Sequence, residues 1–486
     1  MILRPNFHWD RTDSVLCSAI TAVAAISRIG YVSLMELSPF DPWRHLVLLR
    51  NLREGLGFTL TGDQPYIWYN PLWYVLCSWF PKGVGPEWIA TICSWLCVPL
   101  IYTLTRAISR RDGRIAPVAA AVLACGYGPL VNYTCHFGPE AFAMLTMLLA
   151  ITLAISRDGL PETIGAGVLF GVALVARLNF VFMIFMFLPV VGRVRRAVAL
   201  GAGIALPLAL AWWRNFSIIR DHAYLFTWDG LATPAREFNL LSTLVIQMHP
   251  DVGEGLRRLH EMIIPTAEWF RPGGQLALIL IAVACVALAR RWGPALAVGS
   301  GLFYFLVLDA TGSARFFRIW LGLFPAMLIS IALVAERLYT DHGRIGRAIA
   351  TVLVGLALLA GAPAWKPPRF AAPTGGDSIP LEMVTAPPGL LTEDRYMVNS
   401  TFFHPESLIY RYPDKRFIGL PLNPDDFDDF RTHFPEYRAV LWHDLGVQDD
   451  LLRYLAGPAG FRDGGWATNA FGRSYRVLLA PPEATD

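Results

Sequence analysis

MELSPFDPWRHLVLLRNLREGLGF, residues 35–58, directly follows the first apolar segment of the chain and carries an acid at Asp41. A carboxylate next to a bilayer is costly unless it is paired or used, so an acid at this point predicts a functional site. The next stretch, GFTLTGDQPYIWYNPLWYVL at 57–76, supplies turn residues and aromatics before the sequence becomes apolar again. Together the two stretches predict a structured loop between two membrane-spanning segments.

The composition of the chain places it among membrane proteins. It has 486 residues, of which 54% are hydrophobic and 16% are charged, whereas a soluble globular chain carries roughly 25% charged residues. Its net charge of +3 is small. The basic residues lie in short runs between apolar segments, and no basic-aromatic module stands apart from them, which excludes a nucleic-acid partner.

Apolar segments suitable for crossing a bilayer, which takes about 20 residues, occur at eleven places. They are 14–36, 88–107, 115–133, 139–156, 162–177, 179–192, 197–213, 274–290, 293–309, 316–335 and 346–363. The arginine runs between them are Arg110, Arg111 and Arg114; Arg193, Arg195 and Arg196; Arg290 and Arg291; and Arg337, Arg344 and Arg347.

Such arginine runs mark the cytoplasmic side. The two short segments at 162–177 and 179–192 keep every run cytoplasmic only as separate helices that meet near Arg177 on the outer side. The N-terminus is then predicted inside and the C-terminus outside. Arg28 interrupts the first span, and we expect it to reach the outer face or to pair with an acid in a loop.

Three outer segments are long enough to build a site, at 37–87, at 214–272 and after residue 363. The last begins with a Pro-rich linker. Strands are then predicted at 389–391, 416–420, 438–442 and 475–479, and helices at 404–410, 424–434 and 448–455. This alternation predicts a small α/β domain of roughly 100 residues. The predicted domains are a transmembrane domain at 1–363 and an extracytoplasmic α/β domain at 364–486.

Asp41 and Pro42 form a helix start, with Asp41 as N-cap and Pro42 at the first helical position. Asp41 is a candidate catalytic base, and the alternative is that it only caps the helix. His45 lies one turn further on the same face. It could orient Asp41, share its proton or help to hold a divalent metal, and the alternative is an interfacial histidine that faces headgroups.

Several short strings carry a resemblance to a known superfamily. Phe40-Asp41-Pro42-Trp43-Arg44-His45 resembles the first-loop motifs of oligosaccharyltransferases and of lipid-linked oligosaccharide glucosyltransferases, and Tyr69-Asn70-Pro71-Leu72 resembles a Tyr-Pro-Pro-Leu re-entry. Both patterns are typical of GT-C glycosyltransferases, which use lipid-phosphate-linked sugars. The resemblance implies a GT-C-like fold, a polytopic α-helical membrane protein of about 11 spans with the small C-terminal domain. It also implies a catalytic role for Asp41 and a substrate-binding role for Tyr69.

Two further stretches resemble the same superfamily. Glu140 introduces a span, as an acid does at the outer end of the fourth span in GT-C enzymes, and the alternative is an acid that satisfies free amides at a helix start. Arg315 and Arg318 precede a Leu-Phe-Pro string, like the late arginine stretch of aminoarabinose-transferase-like and protein-mannosyltransferase-like enzymes. A guanidinium can hold phosphate bidentately, so these two and Arg214 are candidates for contact with the lipid phosphate. The alternative is anchoring at the interface.

The resemblance implies an enzyme that moves a hexosyl or pentosyl unit from a polyprenyl-phosphate donor to an acceptor hydroxyl, with inversion, on the outer face of a bacterial inner membrane. The acceptor is a lipid, a glycan or a protein. Membrane lipids are further partners, and no cofactor is certain beyond a possible divalent metal. The alternatives are a polytopic lipid or sugar transporter or flippase, and a non-catalytic subunit of a glycan-assembly complex.

Overall fold

The structure is a computed structural model. It describes residues 9–33, 41–60, 66–67, 71–81, 85–109, 113–135, 138–157, 159–188, 192, 194–226, 232–237, 281–286, 288, 293–301, 321–361, 386–399, 408–409, 411–421, 424–443, 449–470 and 472–481.

Helices account for most of the described chain. They are α1 Arg11–Ser33, α2 Asp41–Arg53, α3 Leu72–Ser78, α4 Pro86–Ile108, α5 Ile115–Gly126, α6 Gly128–Thr134, α7 Glu140–Ser156, α8 Leu160–Ala176, α9 Val194–Asp221, α10 Phe324–Asp341, α11 Gly343–Gly361, α12 Phe427–His433 and α13 Asp449–Ala456. Within the described residues, five helices are long and apolar enough to cross a membrane, namely α1, α4, α9, α11 and a stretch at Leu321–Asp341 that contains α10. The chain is a helical membrane protein.

By contact density the chain divides into two compact units. The bundle unit comprises Met1–Met35, Gly83–Ala211 and Gln247–Pro367. The loop unit comprises Glu36–Lys82, Trp212–Ile246 and Pro368–Asp486. The loop unit is thus built from three stretches, each of which overlaps one of the predicted outer segments. The boundary predicted between residues 363 and 364 lies outside the described residues and stays a prediction.

Polar contacts align the helix ends of the bundle unit. Asp13, which is fully buried, accepts a hydrogen bond of 2.8 Å from the Tyr102 hydroxyl and pairs with Arg106 and Arg114 at 3.5 and 3.3 Å. Glu336 on α10 accepts a hydrogen bond of 2.8 Å from the Ser109 hydroxyl. The chain segments that bear Arg114 and Arg337 therefore lie at the same end of the bundle, in agreement with the predicted alternation of spans.

A close crossing joins α8 and α9. A Cβ added to Gly167 would lie 2.4 Å from the carbonyl oxygen of Leu200 and 2.9 Å from the Cα atom of Gly203. A Cβ added to Gly203 would lie 2.4 Å from the carbonyl oxygen of Ile164. The two backbones touch because neither glycine has a side chain, as at small-residue crossings of membrane helices.

Three predicted spans differ from the observed helices. The span at 115–133 is two helices, because Tyr127 is extended (φ −77°, ψ 103°) and Gly128 and Pro129 follow it. The chain does break after Ala176, as predicted, but the segment that follows is a 3-10 helix, Leu178–Phe187. The helix that contains the span at 197–213 continues to Asp221, so about the first two turns of the predicted second outer segment are helical.

The C-terminal part of the loop unit contains a mixed five-stranded sheet of order β4-β3-β5-β7-β6. The strands are β3 Arg395–Val398, β4 Arg416–Gly419, β5 Ala439–His443, β6 Arg462–Thr468 and β7 Ser474–Leu479. β3 is parallel to β4 and β5, and β7 is antiparallel to β5 and β6. Side chains of α12 and α13 pack on the sheet around Met397, Ile418 and Val440.

Three of the predicted strands in this region are observed, at β4, β5 and β7, and the helices predicted at 424–434 and 448–455 are observed as a short 3-10 turn with α12 and as α13. The strand predicted at 389–391 is wrong, because Pro388–Leu390 forms a 3-10 turn. The helix predicted at 404–410 lies largely outside the described residues. Two strands, β3 and β6, were not predicted.

A hairpin from the second outer segment packs on this sheet domain. It consists of β1 Tyr224–Phe226 and β2 Ala232–Pro234. The Tyr224 hydroxyl donates a hydrogen bond of 2.6 Å to Asp429, and its ring contacts Phe430 at 5.2 Å between centroids. Burial and the hydrogen bond to Asp429 raise the pKa of Tyr224 above its usual value. The hairpin therefore belongs to the core of the loop unit.

Candidate functional site

The described part of the first outer segment contains two helices, α2 and α3, and a return of the backbone that directly follows α2. α2 begins at Asp41, in agreement with the predicted helix start, and ends at Arg53. The return uses Gly55 and Gly57, whose φ angles are +79° and +77°. These are left-handed conformations that glycine adopts without strain. The Asp41 side chain lies outside the described part of the structure, so its catalytic role stays a prediction.

Side chains of α2 donate hydrogen bonds that hold the returning backbone in place. The side-chain amide of Asn51 donates to the carbonyl oxygens of Thr59 and Leu60 at 2.8 and 2.9 Å. Arg53 donates to the carbonyl oxygen of Cys77, the penultimate residue of α3, at 3.0 Å. The backbone after α2 and the end of α3 are therefore both tied to α2, which makes the first outer segment a rigid support.

His45 is buried in this support. Its side chain is 2% exposed, and Nδ1 lies 2.5 Å from the Tyr74 hydroxyl on α3. The ring of Tyr74 in turn lies 4.8 Å from that of Phe58. An interfacial histidine facing headgroups is therefore the wrong interpretation of His45. The remaining alternatives, in which His45 acts on Asp41 or on a metal, stay predictions.

Arg44 is a functional candidate that the sequence analysis did not name. It is 1% exposed, and its guanidinium carbon lies 5.8 Å from the ring centroid of Tyr66. Burying a guanidinium requires partners that compensate for its lost hydration. A signal was present in the sequence, because Arg44 lies between Trp43 and His45 in the first-loop string and three residues after Asp41, on the same face of α2.

Arg214 reaches the same aromatic group from α9. It donates hydrogen bonds of 2.8 Å to the carbonyl oxygen of Tyr66 and 3.0 Å to the side chain of Asn215. Its guanidinium carbon lies 5.4 Å from the ring centroid of Phe58. Among the described residues no carboxylate forms an ion pair with Arg214. Two guanidinium groups from different outer segments thus meet at Tyr66, and we call Arg44, Phe58, Tyr66 and Arg214 the arginine–aromatic cluster.

Glu140 lies in the bundle unit, as the first residue of α7. It is 6% exposed, and its Oε1 atom pairs with the guanidinium of Arg177, which follows α8. Within the part of the chain that the structure describes, its buried Oε2 atom has no hydrogen-bond partner. One oxygen is therefore held by an arginine, while the other can accept a hydrogen bond or a cation. The sequence named Arg177 only as a meeting point of two helices.

Three of the predicted site residues lie outside the described residues, and their roles stay predictions: Tyr69, Arg315 and Arg318. Among the described residues, no group of three or more histidine, cysteine or acidic side chains is placed so that it could hold a metal ion. The described residues therefore identify no set of ligands for the divalent metal that the sequence analysis gave as a possibility.

A scan against models of known protein families finds no match, and a search of curated proteins finds no relative. Solved structures do match. One is the archaeal oligosaccharyltransferase AglB from Archaeoglobus fulgidus, in complex with an inhibitory peptide and a dolichol-phosphate. It is 12% identical with a TM-score of 0.48, over 92% of this chain and 71% of AglB.

Another match is ArnT from Cupriavidus metallidurans bound to undecaprenyl phosphate. It is 11% identical with a TM-score of 0.49, over 98% of this chain and all of the ArnT chain.

Proposed function

We propose that this protein is a membrane glycosyltransferase that moves one sugar from a polyprenyl-phosphate donor to an acceptor hydroxyl. The observation that carries the proposal is the arginine–aromatic cluster beside α2. Arg44 and Arg214 come from different outer segments and both contact Tyr66. Arginine binds phosphate through its planar fork and is less strongly hydrated than lysine, which favours it in buried sites.

The cluster suits the leaving group of such a reaction. When the bond between the sugar and the lipid phosphate breaks, negative charge develops on the phosphate. Preorganised cations that meet this charge in a water-poor site stabilise the transition state. Phosphate is already a good leaving group, so the reaction needs no general acid. Arg315 and Arg318 belong to the same proposal as further phosphate contacts, and Tyr69 as a donor contact.

The acceptor side of the reaction needs a base for the incoming hydroxyl, worth about 10²–10⁴-fold in rate. We assign this role to Asp41, the first residue of α2. Arg44 and His45 lie three and four residues further along the same helix, so the base and a phosphate ligand share one rigid element. A single displacement by the acceptor oxygen then inverts the anomeric centre.

We propose Glu140, which belongs to the bundle unit, as a second acid of the reaction. Its pairing with Arg177 holds one carboxylate oxygen in place and leaves Oε2 available to a hydroxyl of the sugar or acceptor. A divalent ion beside Asp41 and His45 would also assist the phosphate. Those two side chains supply too few ligands to define a metal site, and no step here depends on one.

The active site is proposed to face the outside of a bacterial inner membrane, since the arginine runs between the spans favour the cytoplasmic side. The acceptor is a lipid, glycan or protein hydroxyl.

Two measurements test the proposal. A strain that lacks the protein should accumulate one lipid-linked sugar, which identifies the donor. The purified protein in lipid nanodiscs should then transfer that sugar to an acceptor with inversion, detected by the anomeric coupling in NMR. Movement of the intact lipid-linked sugar across the bilayer without cleavage would instead identify a flippase. Normal transfer by extracts of the deletion strain would leave only a non-catalytic role.

A further inference from the structure

The bundle unit contains a buried arginine that the proposed chemistry does not use. Arg28 on α1 is 1% exposed and was expected to reach the outer face or to pair with a loop acid. It does neither. Its guanidinium donates to the carbonyl oxygens of Ala124 and Cys125 at 2.7 and 3.3 Å and to the Ser94 hydroxyl at 3.1 Å. No carboxylate among the described residues pairs with it.

The two carbonyls lie where the third predicted span, 115–133, breaks between α5 and α6. In a continuous helix the carbonyl of Cys125 would accept a hydrogen bond from the backbone N–H of residue 129. Residue 129 is proline, which has no N–H. The extended Tyr127 interrupts the helix between α5 and α6. Arg28 therefore replaces missing backbone donors, and its positive charge lies at the carbonyl end of α5, where the helix dipole favours a cation.

The other half of the broken span is held by the same face of α1. The Tyr31 hydroxyl donates a hydrogen bond of 2.8 Å to the side-chain oxygen of Asn132 on α6. Tyr31 also packs with Val131 and Cys135. The Ser94 hydroxyl, which Arg28 contacts, lies 2.5 Å from the Thr134 hydroxyl at the end of α6. We call Arg28, Tyr31 and Ser94 the α6 clasp.

The clasp has a consequence for the proposed site, because α6 ends only six residues before Glu140. α6 packs against α7, whose first residue is Glu140. A shift of α6 would therefore move the backbone that leads into Glu140. Misplacing a reacting group by about 1 Å can cost a hundredfold in rate.

From these contacts we propose that Arg28 is a positioning residue. It keeps the third predicted span broken and α6 docked, and thereby sets the position of Glu140. The link to catalysis rests on the proposed function, whereas the docking of α6 does not. Neither part requires Arg28 to touch a substrate.

Cys135 provides a readout that is independent of activity. It directly follows α6 and is fully buried. In a protein that keeps Cys135 as its only cysteine, we expect Arg28→Met to raise the rate of maleimide labelling in nanodiscs by about tenfold or more. Arg28→Lys should give an intermediate rate, because it keeps the charge and loses the fork. Unchanged labelling of a folded Arg28→Met variant would overturn the proposal that Arg28 keeps α6 docked.

Two further variants separate positioning from stability. Pro129→Ala restores an N–H to the span, so Arg28→Met/Pro129→Ala should recover thermal stability through a continuous helix. The double variant should not recover turnover, because a continuous helix would change the orientation of α6. Recovery of both together would show that Arg28 is only structural. If Arg28→Met fails to fold, Tyr31→Phe removes one hydroxyl and should raise Cys135 labelling by itself, and unchanged labelling would count against the clasp.

Asp13→Asn, at the other end of the bundle, is the matched control. It removes a buried charge and should lower thermal stability without exposing Cys135. If Asp13→Asn also increases Cys135 labelling, the labelling rate reports a general loss of packing in the bundle. That result would contradict a specific role of Arg28 in docking α6. If the wild type transfers no sugar while Arg28→Met still exposes Cys135, the proposed function fails and the docking role of Arg28 stands.

Discussion

Nδ1 of His45 and the hydroxyl of Tyr74 lie 2.5 Å apart, which joins the two helices of the first outer segment through one buried hydrogen bond. In a neutral imidazole one nitrogen donates and the other accepts. Tyr74 therefore decides which hydrogen-bonding role is left to Nε2. His45 lies on the same face of α2 as Asp41, so the partner of its other nitrogen bears directly on how the proposed base is oriented.

Tyr74→Phe should lower turnover by about tenfold, since it removes this hydrogen bond and keeps the ring against Phe58. A neutral hydrogen bond contributes about 0.5–1.5 kcal/mol, so the variant should still fold. Initial rates at saturating donor and acceptor measure the effect. Tyr339→Phe, at an exposed position of α10, is the control. Equal rates for both variants would show that the His45–Tyr74 pair is only part of the core.

Asp41→Asn should reduce transfer by at least about a hundredfold while the protein folds, because asparagine can cap the helix and cannot accept the proton. Turnover of the purified variant is compared with that of Glu54→Gln, an exposed acid just after α2, which should match the wild type. Near-normal transfer by Asp41→Asn would remove Asp41 as the base.

Arg214→Gln and Arg44→Gln should raise the donor KM or lower turnover by about tenfold or more, with little change in the dependence on acceptor. Lysine should rescue only in part, because it keeps the charge and loses the fork. Arg315→Ala and Arg318→Ala are expected to behave in the same way. Arg220→Gln is the control, since Arg220 lies near the end of α9 and is paired with Asp221 at the surface. Full activity with glutamine at Arg44 and Arg214 would return both arginines to a packing role.

A reporter enzyme fused after residue 365 should be active only on the outer side of the membrane. Eleven spans with the N-terminus inside put this position outside. Activity in the cytoplasm would mean that one span is miscounted, and the loop unit would then face the cytoplasm.

Gly167→Leu and Gly203→Leu should each destabilise the protein, because the new side chain would meet the backbone of the facing helix. Overpacking of this kind costs about 1–3 kcal/mol or more. Thermal unfolding in detergent measures the loss. Gly201→Leu, on the same helix as Gly203, is the matched control, since a Cβ there meets nothing within 4 Å. A similar loss for all three would point to helix propensity or lipid contact instead of the crossing.

The sequence was most informative where the pattern is local. The start of α2 at Asp41 and the strands β4, β5 and β7 could be predicted from turn residues and periodicity, and the break after Ala176 could be predicted from the positions of the arginine runs. β6 was missed because Gly464 and Gly465 resemble a turn, and β3, which is as short as β4, lacks a local signal that distinguishes it. Both are fixed by their pairing in the sheet, which is a long-range property.

The burial of two arginines and the identity of their partners could not be predicted from the sequence. Arg28 was expected to reach the outer face or a loop acid, and Arg44 was not named as a site residue. Burial was predicted for neither, because charged side chains are rarely buried. Their partners lie on other elements: Arg28 contacts carbonyls 96 and 97 residues away in sequence, and Arg44 contacts Tyr66 across the return. Sequence spacing on one helix cannot reveal partners of this kind.

The composition of the loop unit sets an order for biosynthesis. Its three stretches are separated by most of the membrane bundle, and its sheet is formed by residues 395–479. Ribosomes add about 5–20 residues per second, so α2 emerges on the order of 20–80 s before the sheet that completes its unit. During that interval the loop unit lacks its sheet, and the membrane-insertion machinery or a chaperone has to tolerate this incomplete unit. A nonsense mutation near the 3′ end of the gene would therefore leave an inserted bundle with an incomplete loop unit.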